Sequence, residues 1–178
     1  RGRTLVADNG MQARLDRPLD FLAVTDHAEY LGLLRRVRTG DEAMLAQPNA
    51  RRWYDMVKAG GDPAKQAFFE VARSMSSGVG QPQLLQVPPG EEPPWQRVVQ
   101  MADEANTPGV FTAFIGFEWT SQPDGDNLHR VVVFRDGADR VGRVSPFTAF
   151  DSQDPAMLWR YLAAYEKATG GRVLAIPH

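Results

Sequence analysis

Four short runs rich in Val, Ile, Phe and Leu set the strongest limit on what this chain can fold into: Phe21 to Thr25, Phe111 to Phe117, Val131 to Phe134 and Val173 to Ile176. None alternates between apolar and polar residues. Each therefore predicts a strand covered on both faces, the pattern of a mostly parallel sheet flanked by helices and of the α/β class. Helical signals stand between the runs. Asp154-Pro155 offers an N-cap and a first-turn proline, Leu158, Tyr161, Leu162 and Tyr165 recur at helical spacing, and Gly170-Gly171 ends the element. Asp62-Pro63 repeats that start before Phe68, Phe69, Val71, Ala72 and Met75. Trp95, Val98, Val99 and Ala102 predict a further helix closed by Thr107-Pro108-Gly109. Segments 29–38 and 41–59 read as helical, with Gly40 and Pro48 as breaks. Residues 74–97 hold five prolines and three glycines, which predicts a long loop or insertion there.

Composition narrows the chemistry. With 178 residues, 43% hydrophobic and 24% charged, the chain can bury a core and is expected to form a single domain spanning 1–178. The formal net charge is −2 and no basic run occurs, so the phosphate-neutralising surface of a nucleic-acid binder is missing. No stretch of about 18 apolar residues suggests a membrane span. Cysteine is absent, so any metal must be held by His and carboxylates, and the compartment, periplasmic or cytoplasmic, stays open. The abrupt start at Arg1-Gly2-Arg3 and the stop at Ala175-Ile176-Pro177-His178 read as a piece of a longer protein.

The three histidines fall at telling positions. His27 follows the first apolar run and His178 the last, while Glu118 follows Phe111 to Phe117 in the same way. Strand ends are where α/β proteins place their sites. His129 opens a strand instead, but the turn formers Gln122-Pro123-Asp124-Gly125-Asp126-Asn127 let the chain double back and bring it beside Glu118. Taken singly, each is an ordinary strand-end residue, and Asp26, Glu29, Asp124 and Asp126 are ordinary turn or cap carboxylates. Jointly, three imidazoles and one glutamate suit Zn²⁺, Mn²⁺ or Fe²⁺, and a glutamate can bridge two ions. The competing chemistries lack their signatures: there is no Gly-x-Ser-x-Gly elbow, no phosphate loop and no dinucleotide fingerprint.

Four segments carry a resemblance. Arg17 to Tyr30 (with Thr25-Asp26-His27-Ala28-Glu29-Tyr30), Gly116-Phe117-Glu118-Trp119-Thr120, Gly125-Asp126-Asn127-Leu128-His129-Arg130 and Ala175-Ile176-Pro177-His178 resemble a bacterial family of unassigned function within the polymerase-and-histidinol-phosphatase (PHP) superfamily. The resemblance implies a partial (β/α)7 barrel and a metal-dependent phosphoesterase with two or three divalent ions (Zn, Mn or Fe) and a small phosphorylated substrate. It implies His27, Glu118, His129 and His178 as metal ligands, with Glu118 bridging two ions. Glu118, His27 and Asp26 would be the catalytic group, in which Asp26 or Glu29 orients an imidazole from behind. Arg130 is the candidate phosphate-binding side chain. The superfamily's opening His-x-His and closing Asp-x-His are not in the chain, so the piece would carry an incomplete, weakly held set of ions. Two alternatives stay open: a metal-dependent hydrolase of a bond other than a phosphate ester, and a non-catalytic ligand-binding module.

Overall fold

A computed structural model describes residues 3–7, 9–81, 84 and 86–178. Arg1 and Gly2 of the chain start, and Pro82, Gln83 and Leu85 of the expected loop, lie outside the described residues. Strands β1 (Leu5–Val6) and β2 (Gln12–Ala13) form a small antiparallel pair. Next come β3 (Phe21–Val24) and a helical block of α1 (Leu33–Thr39), α2 (Glu42–Leu45), α3 (Pro48–Ala59) and α4 (Gly61–Ser76). Then follow α5 (Pro94–Ala105), β4 (Thr112–Trp119), β5 (Arg130–Phe134), α6 (Ala138–Val141), α7 (Pro155–Thr169) and β6 (Val173–Pro177).

The four apolar runs are the four strands of one sheet, ordered β3-β4-β5-β6. The expected partial (β/α)7 barrel is not what they build. The described residues form one sheet of two strands and one of four, neither closed on itself, in a mixed α/β arrangement. The sheet is not mostly parallel either: β3 runs parallel to β4, but β4–β5 and β5–β6 are antiparallel. The reason lies partly in the turn-rich segment after Trp119, which is too short to carry a crossover helix and so returns β5 antiparallel beside β4.

One face of the sheet is packed along β4 and β5, while Leu22 and Val24 of β3, on the same side, stay 44% and 57% exposed. Ile115, Phe117, Trp119, Val132 and Phe134 are each at most 2% exposed and form a core with Trp95 and Val99 of α5 and Leu158, Leu162 and Tyr165 of α7. Phe117 meets Trp95 edge-on at 5.9 Å between ring centres, and Phe134 meets Tyr165 at 4.9 Å, separations at which aromatic pairs add to area burial. The Trp95 indole is satisfied by donating to the Val144 carbonyl at 2.8 Å. The opposite face, which the unbroken apolar runs predict as covered, is open: Phe21, Ala23, Phe114, Val131, Val133, Leu174 and Ile176 line a shallow apolar groove.

A second core holds the helical block together, with Tyr30, Leu33, Val37, Met44, Ala50, Trp53, Ala67 and Val71 buried in it. Trp53 donates to Glu70 at 3.0 Å. Hydrogen bonds from Arg52, then from Trp53, hold the Glu70 carboxyl down at about 2.

Helix boundaries follow the local chemistry with some corrections. Asp154 caps α7, accepting from Ala156 N at 2.8 Å, and Gly170 closes it in the left-handed conformation at φ 67°. Helix α4 begins at Gly61, one residue ahead of the expected Asp62 cap, so Asp62 sits in its first turn. Pro48 opens α3 instead of breaking a longer helix, as proline at a first helical position does. Residues 29–32 are not helical, because Tyr30 takes a left-handed conformation at φ 54°. The Pro/Gly-rich connection is shorter than 74–97, since α4 persists to Ser76 and α5 starts at Pro94.

Candidate functional site

Side chains alternate across a strand, so residues two apart share a face. On β4, Phe114, Gly116 and Glu118 belong to the open face, while Ile115, Phe117 and Trp119 belong to the packed one. The chain after β3 keeps pace with β4. Glu118 N donates to Asp26 O at 2.9 Å, Ala28 N donates to Glu118 O at 2.8 Å, and His27 pairs with Glu118 across the ladder. Gly116 sits where neighbouring strands come close, and a Cβ there would lie 2.6 Å from Val132 O and 2.8 Å from Thr25 Cγ2.

The return from β4 to β5 is made by a 3-10 turn at Pro123–Gly125, with Asp124 left-handed at φ 53°. Leu128 N donates to Ser121 O at 3.0 Å, and Asn127 Oδ1 accepts from His129 N at 2.9 Å. These bonds fold the turn shut and set His129 against Glu118, 2.8 Å separating Nδ1 from Oε1. Just past β6, His178 N donates to His129 O at 3.3 Å, and its Nε2 lies 3.9 Å from Glu118 Oε1. His27 Nδ1 lies 3.5 Å from Glu118 Oε2. Three imidazoles next to the ends of three strands, far apart in sequence, thus surround one carboxylate at one end of the open face.

Burial grades the cluster. The side chain of Glu118 is 7% exposed and that of His129 16%, whereas His27 and His178 are 49% and 60% exposed. A nearly buried carboxylate needs partners, and imidazoles are what it has. The Nδ1 atoms of His27 and His129 face Glu118, and among the described residues no group of three or more His, Asp or Glu side chains stands arranged to hold an ion as it is. The donor set nevertheless suits a divalent transition metal. His129 Nε2 is buried without a hydrogen-bond partner among the described residues, and an unpartnered, buried imidazole nitrogen is a candidate lone pair for an ion.

Two expected members are placed elsewhere. Asp26 alternates away from His27, and it lines a separate cavity with Arg35, Arg36, Glu91 and Arg97. Arg130 shares its face with Val132 and Phe134, and its Nη1 donates to the carbonyls of Leu128 at 2.9 Å and His129 at 2.7 Å, so its guanidinium braces the turn that presents His129.

Thr120 is the residue that motif reasoning passed over. Its Oγ1 lies 2.7 Å from His27 Nδ1, and the residue is 3% exposed. Period two was the available signal: two positions beyond Glu118, Thr120 falls on the same side of the chain. Behind it Glu29, 2% exposed, accepts through Oε1 from Thr120 N at 3.2 Å and from Ala149 N at 2.6 Å. Neither Asp26 nor Glu29 meets an imidazole directly. Glu118 and Thr120 fill that role, and Glu29 stands one step further back.

A family model described as a protein of unknown function, DUF3604, matches residues 1–178. No curated protein and no solved structure matches the chain.

Proposed function

The chain belongs to the DUF3604 family, and from that premise we propose that it carries the core of a metal-dependent hydrolase site. The reading rests on one observation: His27, His129 and His178 gather around the nearly buried Glu118 at one end of a sheet face. The imidazoles of His27, His129 and His178 are the groups that would hold divalent ions such as Zn²⁺, Mn²⁺ or Fe²⁺, with Glu118 placed to orient the rings. Ions so held lower the pKa of bound water and offset charge on the oxygens of an ester under attack. The chain's own contribution is position. The Glu118 carboxylate accepts from the Nδ1–H of His129, which fixes that ring and leaves Nε2 as its lone-pair donor. The Leu128–Ser121 backbone bond and the Arg130 brace hold the turn in register.

As substrate class we propose small phosphate esters, and as kinship the PHP superfamily; both rest on the four sequence segments and on the imidazole-carboxylate donor set. The test is a panel of phosphate monoesters, phosphodiesters, carboxylic esters and amides, assayed with added Zn²⁺, Mn²⁺ or Fe²⁺. Metal-stimulated phosphate release is expected, abolished in His27→Ala and Glu118→Gln while the fold survives by circular dichroism. Turnover of amides or carboxylic esters alone would move the reading to a different hydrolase. Unchanged kinetics in both variants would refute it.

A further inference from the structure

Around His27 the geometry goes further. Its Nδ1 faces two oxygens at once, Thr120 Oγ1 at 2.7 Å and Glu118 Oε2 at 3.5 Å. An ionised carboxylate accepts and never donates, while a threonine hydroxyl does either. A ring nitrogen set between them is best satisfied as an N–H. We infer that Thr120, steadied by Glu29, is a positioning residue that holds the His27 proton on Nδ1 and so leaves Nε2 as a bare lone pair.

Thr120 can do this because it is itself held. It is 3% exposed at the end of β4, and its backbone N–H donates to Glu29 Oε1. The same oxygen accepts from Ala149 N, tying the strand end to the loop before α7. Glu29 reaches inward because the chain turns sharply at the next residue, Tyr30, whose φ is 54°. The Tyr30 hydroxyl, in turn, accepts from Gln81 N at 3.0 Å, so the turn is anchored from the far side. The two buried imidazole-facing groups thus do parallel work: Glu118 takes the Nδ1–H of His129, and Thr120 takes that of His27. In both rings Nε2 is the nitrogen released for a ligand. This deepens the metal-binding reading and rests on it for its purpose, but the tautomer itself is a property of the chain alone.

The experiment is long-range ¹H–¹⁵N correlation NMR of the histidine rings at alkaline pH without added metal, on the unsubstituted chain, Thr120→Val and Thr120→Ser, followed by Zn²⁺ titration calorimetry on the same samples. His27 is expected as the Nδ1–H tautomer in the unsubstituted chain and in Thr120→Ser, and to move towards Nε2–H in Thr120→Val. Zn²⁺ affinity should fall about 10- to 100-fold in Thr120→Val and recover in Thr120→Ser, the range seen when a group behind a metal ligand is removed. Glu29→Gln, which keeps an acceptor oxygen, should behave like the unsubstituted chain. An Nε2–H tautomer of His27 in the unsubstituted chain, or an Nδ1–H tautomer that Thr120→Val leaves unchanged, would overturn the inference. The expected tautomers in a chain that takes up no Zn²⁺ would uphold the role of Thr120 and overturn the metal-binding reading.

Discussion

The two faces of the four-stranded sheet are made by the same strands from the same kinds of residue, yet they do different things. On one face Phe117, Trp119, Val132 and Phe134 are at most 1% exposed beneath α5 and α7. On the other, Phe21 is 65%, Leu174 57% and Ile176 44% exposed, and the apolar stretch ends in the His27, Glu118, His129 and His178 cluster. Packing therefore concentrates on the first face, and the polar cluster lies on the second. Because the open face gains little from burial, its polar end is free to be shaped by hydrogen bonding rather than packing. The contrast also shows that apolar composition in a strand records what its faces are suited to meet, not what meets them in a given structure.

Substitutions can break this contrast, starting where the largest effect is expected. Phe117→Ala empties a site ringed by Trp95, Phe134 and Tyr161 and should cost about 3–5 kcal/mol in urea unfolding. A cost near zero would mean that the packed face does not carry the fold. Glu29→Ala strips the acceptor from two backbone N–H groups at the margin between the faces. The same measurement should find a loss of about 2–4 kcal/mol, and Glu29→Gln should recover most of it.

A third prediction concerns acid. Burial pushes the Asp136 carboxyl up, but hydrogen bonds from Arg172 N, the Tyr165 hydroxyl and Arg140 outweigh it and hold the group below its ordinary value. A carboxylate with a depressed native pKa stabilises the fold above its unfolded pKa, and that contribution fades as pH falls through the native value. Glu70, held at about 2, acts in the same direction in the helical block. Urea midpoints should therefore drop below about pH 4. Asp136→Asn should flatten that drop, and an unchanged slope would remove Asp136 from the acid response. The smallest effect belongs to the open face. Ile176→Ser and Phe21→Ala should each change stability by about 0.5 kcal/mol or less, and a loss comparable to Phe117→Ala would show that something covers the groove in solution.

Much of the cluster was legible in the sequence. The placement of His27, Glu118 and His178 after apolar runs, together with the turn formers ahead of His129, is enough to foresee four side chains at one end of a sheet, because strands fix both where a chain ends and which way its residues face. Strand positions followed for the same reason, as did α7, whose cap and stop residues act locally. Sheet order and direction did not, since the parallel β3–β4 pair and the two antiparallel pairs are decided by long-range contacts that leave no mark on any single run. The lack of a closed barrel among the described residues belongs to the same class. Asp26 and Glu29 were readable as carboxylates near His27, but not which way each points: alternation turns Asp26 away, and the left-handed Tyr30 sends Glu29 towards Thr120. Thr120 itself escaped because a hydroxyl at the end of the Gly116–Thr120 segment carries no spacing signal unless the facing of the strand is counted.

The claim on which the rest depends is that the imidazoles gathered around Glu118 take up a divalent ion. The most direct measurement is Zn²⁺ titration calorimetry of the chain beside His129→Ala, the variant that removes the buried Nε2 left without a hydrogen-bond partner among the described residues. Saturable Zn²⁺ binding that weakens at least about 10-fold in His129→Ala is the predicted result. Binding of equal strength in both proteins, or none in either, would contradict it.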